Sequence, residues 1–241
     1  MRSLRLLRFL LFIPLLAGCG LPDSYYLQQP NVQNVASTVS TSFEFFNPDH
    51  SNDLSVAFQG FDLYYQFYSN LQSINQNAYD ATDINDPPHQ LAAKGFFPIC
   101  RGAGTAQDSP PSRTSPTIIV DPAVRLESFP IDIFINSGTF PNYLSYSTYV
   151  PPSTGTAVTD EIRRNAPDLT SGYGYKSFAG NSARIINPPN YGSDNDMSAA
   201  LFVACGGTAY LAMYAMSYGV ASDGPHWSIP VYLGYLQITI Q

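Results

Sequence analysis

Residues able to carry proton transfer, nucleophilic attack or metal ligation are sparse in this chain. Its three histidines, His50, His89 and His226, are widely spaced and each lies beside turn-forming residues. That distribution predicts exposed loop histidines rather than a general base or a ligand set. Glutamate occurs only at Glu44, Glu127 and Glu161. Glycoside hydrolysis needs two opposed carboxylates; any two of the fifteen aspartates could meet in space, but nothing in the sequence promotes a particular pair. The stretch SDNDMS (193–198) offers oxygen ligands without the D-x-D-x-D-G order of a calcium loop, so it is read as a solvated turn. A G-x-S-x-G elbow, H-E-x-x-H, a phosphate-binding loop and paired-cysteine zinc spacing are absent from the sequence. These residues predict no catalytic constellation, no cofactor and no metal.

The thiols offer more. Arg2, Arg5 and Arg8 precede an apolar run, Phe9 to Leu16, broken by Pro14, and Ala17-Gly18 then lead into Cys19. A bilayer span takes ~20 apolar residues, so this shorter run is read as a secretory signal. The segment Leu16-Ala17-Gly18-Cys19 resembles the lipobox of bacterial lipoproteins at all four positions. The resemblance implies diacylglyceryl transfer to the Cys19 thiol, cleavage before it, and acylation of the new amino group with chains such as palmitate. Each buried methylene is worth ~0.8 kcal/mol, so several chains on one residue anchor firmly. Gly20 stands where many inner-membrane lipoproteins carry aspartate, which implies the outer membrane as the destination.

Cleavage there leaves 223 residues, enough for one large domain. It also leaves 8 basic against 18 acidic side chains and no basic stripe. That balance argues against nucleic acid and against attraction to anionic lipid. With Cys19 acylated, Cys100 and Cys205 form an even pair in an oxidising compartment. A disulfide between them is expected, and would stabilise by up to ~4.7 kcal/mol for a loop of about 100 residues. The other reading is two separately buried thiols.

The elements that position these residues are mainly strands. Residues 20–38 are polar and aperiodic and are read as a flexible tether. Thr41 to Phe46 alternates at period two and stops at Asn47-Pro48. In GFDLYYQFYS (60–69) Phe61, Leu63, Tyr65 and Phe67 share one parity and should enter a core, leaving Asp62, Tyr64, Gln66 and Tyr68 on the other face. Further strands are expected at 116–120, 125–129, 131–135 and 143–150, with a short helix from Thr159 or Asp160. Loops are expected at 107–116 and 171–196. Strands are expected again at 198–207, 208–219 and 230–240, the last two separated by the turn ASDGPHWS (221–228). Such a pattern indicates an all-β sandwich.

The ends of this domain resemble a fibronectin type III module. FEFFNP resembles its second strand with Phe45 in the tryptophan position, GFDLYY its third, and MYAMSYG with the last strand its sixth and seventh. The resemblance implies an immunoglobulin/fibronectin III-like sandwich spanning 39–241 with a long strand-containing insertion at about 70–196. It also implies that the sixth strand pairs with the third, so that Tyr210, Tyr214 and Tyr218 share an outer face with Tyr64 and Tyr68. That face is either covered by the insertion as a third layer or forms an aromatic platform for a glycan or protein. Trp227 is read as packing on the core rim, with ligand contact as its other role. The expected function is an acylated envelope protein acting as a non-catalytic binding module for a protein or glycan. A structural assembly component is the alternative, and a carbohydrate-active enzyme comes third.

Overall fold

A computed structural model describes residues 26–53, 56–80, 86–101, 115–136, 143–148, 158–167, 175–178 and 194–239. The chain is mostly strand there. In order it forms β1 (Ser42–Asn47), β2 (Ala57–Tyr68), a 3-10 turn at Leu71–Ser73, α1 (Pro87–Ala93), β3 (Phe97–Pro98), β4 (Cys100–Arg101) and β5 (Ile118–Ile119). Then follow β6 (Phe129–Asn136), β7 (Tyr143–Thr148), β8 (Val158–Pro167), β9 (Tyr175–Ser177), α2 (Ala199–Cys205), β10 (Thr208–Ala221), β11 (Gly224–Trp227) and β12 (Val231–Thr239).

Two sheets result. One runs β1-β6-β7-β8-β4, with β9 also on β8. In the other, β10 pairs with β2 on one side and with β11 and β12 along the other, while β3 and β5 line the far edge of β2. Among the described residues every pairing between two of these strands is antiparallel. The period-two pattern sets which face is which. On β1, Phe43 and Phe45 lie opposite Ile133 and Ile131 of β6 and all four are buried. On β2, Phe61, Leu63, Tyr65 and Phe67 lie opposite Ser217, Ala215, Met213 and Leu211 of β10 and face the same core. Phe45 meets Phe61 edge to face at 5.1 Å, one contact by which the two sheets interlock.

The tether expectation is corrected for its second half. Leu27 and Ala36 are buried, Asn31 pairs with Phe46 of β1, and Ala36 pairs in parallel with Gly234 of β12. This segment therefore crosses from one sheet to the other and closes their shared edge. Edge capping of this kind uses backbone hydrogen bonds, which a polar composition conceals.

Three local expectations also change. The helix expected from Thr159 is part of β8, held by β7 along Val158–Glu161. The strand expected at 198–207 is α2, begun by Ser198, whose hydroxyl caps Leu201 N–H at 3.2 Å, and stopped by Gly206 at φ 57°. The strand expected at 125–129 is a turn that enters β6 only at Phe129.

Candidate functional site

Antiparallel pairing of β2 with β10 puts Tyr210 beside Tyr68, Tyr214 beside Tyr64, and Tyr218 beside Gly60, so all five tyrosines belong to the outer face. That face is not an open platform. Of the six residues expected there, Tyr64, Tyr68, Tyr214 and Tyr218 are buried, whereas Tyr210 and Trp227 are half-buried. The covering layer is the start of the insertion: Ala78, Leu91 of α1 and Phe96 pack on these tyrosines, with Ile74 and Tyr79 at the margin. Hydrogen bonds fasten it. Tyr214 Oη donates to the Gln76 carbonyl at 2.7 Å and accepts from Ala78 N–H at 3.1 Å. Tyr68 Oη donates to Gln66 Oε1 at 2.6 Å and accepts from Asn75 N–H at 3.3 Å. Burial, followed by the nearby Asp62 charge, pushes the Tyr64 phenol well above its usual range. At the β12 margin Tyr210, Tyr232 and Tyr235 remain half-buried, Tyr210 meeting Tyr235 at 6.3 Å.

Beside these tyrosines lies a group that alternation alone marked as polar. Asp62 is 3% exposed. Its Oδ2 accepts from Trp227 Nε1–H at 2.7 Å and its Oδ1 from Thr117 N–H at 3.1 Å. Burial raises its carboxyl to about 6, although both hydrogen bonds pull the other way. The indole also meets Tyr218 edge to face at 5.8 Å. Trp227 is therefore fixed on one side and half-exposed on the other.

A second polar cluster overturns the solvated reading of SDNDMS. Asp194 and Asp196 are buried and converge on Arg164 of β8. Arg164 Nε and Nη2 donate to the two oxygens of Asp196 at 2.9 and 2.6 Å, and Nη2 also donates to Asp194 at 3.2 Å. Tyr65 Oη donates to Asp196 and accepts from Asn165 N–H at 2.7 Å. The guanidinium lies 5.4 Å over the Phe67 ring. Burial opposes its charge, but the Asp196 carboxylate outweighs that and lifts Arg164 above the ordinary arginine range. The cluster ties β8, β2 and the approach to α2 together.

The histidines divide. His50 is buried, stacks on Phe58 at 3.9 Å and hydrogen-bonds Asp53, correcting the exposed expectation. Burial lowers its basicity, partly offset by Asp53. His89 is exposed, and His226 is half-buried with Nε2 2.6 Å from Asp223. No disulfide joins Cys100 to Cys205. Cys100 sits in the β4–β8 ladder opposite Arg163, whereas the Cys205 sulfur, at the end of α2, faces the Tyr68 carbonyl at 4.0 Å. Both are buried thiols in different parts of the fold, packed as small hydrophobes. Cys19 lies outside the described residues. Among the described residues no three His, Cys, Asp or Glu side chains form a metal-binding group, and no helix is long and apolar enough to cross a membrane. Comparison with protein-family models, with characterised proteins and with solved structures finds no match.

Proposed function

We propose that this chain is an outer-membrane lipoprotein, acylated at Cys19, whose fibronectin type III-like sandwich is a non-catalytic structural part of a larger envelope assembly. Support for the fold reading comes from the pairing of β1 with β6 in one sheet and of β2, β10 and β12 in the other. The Asn31 and Ala36 bridges supply a first edge segment that switches sheets. The insertion then has two uses, covering the tyrosine face with residues 74–80 and 86–96 and widening the first sheet through β7, β8 and β9.

One observation carries the structural reading over the ligand-binding one: the tyrosine face is spent on the protein's own cover, down to both hydrogen bonds of Tyr214. Asp62 and Asp196 likewise serve internal donors. Cross-linking in intact cells should trap discrete larger species containing this chain, and only monomer at every cross-linker dose would sink the assembly role. The anchor is tested separately. Cys19→Ala should release the protein from membranes, and unchanged retention would refute lipidation there.

A second reading is favoured by the half-exposed margin of Tyr210, Tyr232, Tyr235 and Trp227, an amphipathic strip suited to a protein or glycan contact. Trp227 is the sole tryptophan. Its fluorescence should then respond to envelope glycans, and a flat titration would remove that reading.

A further inference from the structure

We infer that the sandwich stands end-on to the membrane, its β1–β2, β5–β6 and β10–β11 connections toward the lipid headgroups and α2 at the outward end. This placement rests on the Cys19 anchor proposed above and adds an orientation to it.

The argument begins where the chain first docks. Leu27 belongs to the main core, and the Gln28 carbonyl accepts from Ser217 Oγ at 2.6 Å. Asn31 and Phe46 exchange backbone bonds of 3.1 and 2.8 Å. Ala36 N–H donates to Leu233 at 2.9 Å, and Tyr235 N–H returns to Ala36 at 3.2 Å. The segment is thus fastened along its length, and seven residues, 20–26, separate Cys19 from Leu27. Even fully extended, those eight steps reach at most about 28 Å. The sandwich is longer: the 14 residues of β10 alone extend roughly 46 Å at about 3.3 Å each.

The docking point lies near one end. Ser217 is close to the β11 turn, and Phe46 is the penultimate residue of β1. From there the segment runs inward to Gly234, opposite Met213 in mid-strand. The short leash therefore emerges among the loops after β1, before β6 and between β10 and β11. The opposite end carries α2, the close of β2 at Tyr68 and the end of β12, beyond the leash's reach. Charge keeps this end from seating on the lipid itself. The loops at the anchored end expose Asp49, Asp121, Glu127 and Asp223, with Arg125 half-buried among them. Anionic headgroups repel that surface over a Debye length of about 10 Å at 0.1 M salt, holding it across a water layer. The outward end then presents α2, where Val203 is 75% exposed.

The test uses the full lipidated chain in vesicles carrying an acceptor dye on the headgroups. A donor dye is attached at Ala123→Cys, in the anchored-end loops, or at Ala200→Cys, on α2; both positions are exposed, whereas Cys100 and Cys205 are buried. Energy transfer should be severalfold stronger from position 123. A long Gly-Ser insertion after Gly20 should collapse that difference while leaving the protein bound. Equal transfer from both positions in vesicle-bound protein, or stronger transfer from position 200, overturns the orientation alone. A protein that fails to bind vesicles at all overturns the anchor and the orientation with it.

Discussion

Two buried carboxylate clusters make opposite demands on charge, and each can be tested by single residues. Asp62 keeps its proton up to about pH 6 in the fold against 3.8 as its ordinary value. Between those limits the folded state binds the extra proton. Its contribution is therefore full below about pH 4 and lost as pH rises through 6, by up to roughly 3 kcal/mol. Stability of the wild type should fall across that window, and Asp62→Asn should flatten the fall. Trp227 reports the same event directly through its 2.7 Å bond to Asp62. Its emission should titrate with a midpoint near 6, and a pH-invariant spectrum would remove Asp62 as the titrating group. Arg164 is the reverse case, a buried cation between Asp194 and Asp196. Arg164→Met removes the cation and leaves two buried carboxylates behind, which should cost about 3–5 kcal/mol in chemical denaturation. Arg164→Met combined with Asp194→Asn and Asp196→Leu should recover much of that loss. A loss below about 1 kcal/mol for the single variant would show the site to be wet.

At the scale of elements, what was legible in the sequence follows from how each element is specified. β1, β2, β6, β10 and β12 carry their face in every second residue, so alternation located them and Phe61, Leu63, Tyr65 and Phe67 could be assigned to the core. β3, β4 and β5 are two residues each and have no period to detect. The AALFVAC run of α2 is short and apolar, ambiguous between strand and helix unless Ser198 and Gly206 are weighed as caps. SDNDMS reads as solvated because its acids pair with Arg164, about thirty residues earlier, and with Tyr65 of β2, pairings that no local pattern contains. The 27–36 edge leaves no side-chain pattern in the sequence because backbone bonds specify it. One residue in the core-facing partner does betray it: Gly234, at φ 104°, where an added Cβ would lie 2.2 Å from the Ala36 carbonyl oxygen. Gly234→Val should expel this segment, with new proteolytic cutting between residues 27 and 36 and a stability loss of at least about 1 kcal/mol. Unchanged cleavage and stability would mean that Ala36 is not seated on β12.

At the scale of the molecule, the described residues form two hydrophobic cores of unequal size on either face of the β2–β10 sheet. The inner core joins both sheets, whereas the outer one is a handful of tyrosines under Ala78, Leu91 and Phe96. Two-residue strand pairing and a seven-residue helix hold the outer layer, with Asp86 capping His89 N–H at 3.3 Å. Few buried contacts and short ladders place such a layer at the low end of local stability. The cover should therefore open without global unfolding, and native-state hydrogen exchange should show α1 amides exchanging well before those of β2 and β10. Leu91 is fully buried at the centre of the layer. Leu91→Ala should lower the cover's opening free energy by about 2–5 kcal/mol, less if the layer collapses into the gap. It should leave the β10 amides at their original rates. That outcome also bears on function. An opened cover bares Tyr64, Tyr68 and Tyr214, converting a spent face into the aromatic platform that the sequence pattern suggested. If the variant then gains affinity for an envelope glycan, the structural role yields to a gated binding one. If α1 and β10 amides instead exchange together in both proteins, the cover is part of one cooperative unit and the tyrosine face is sealed.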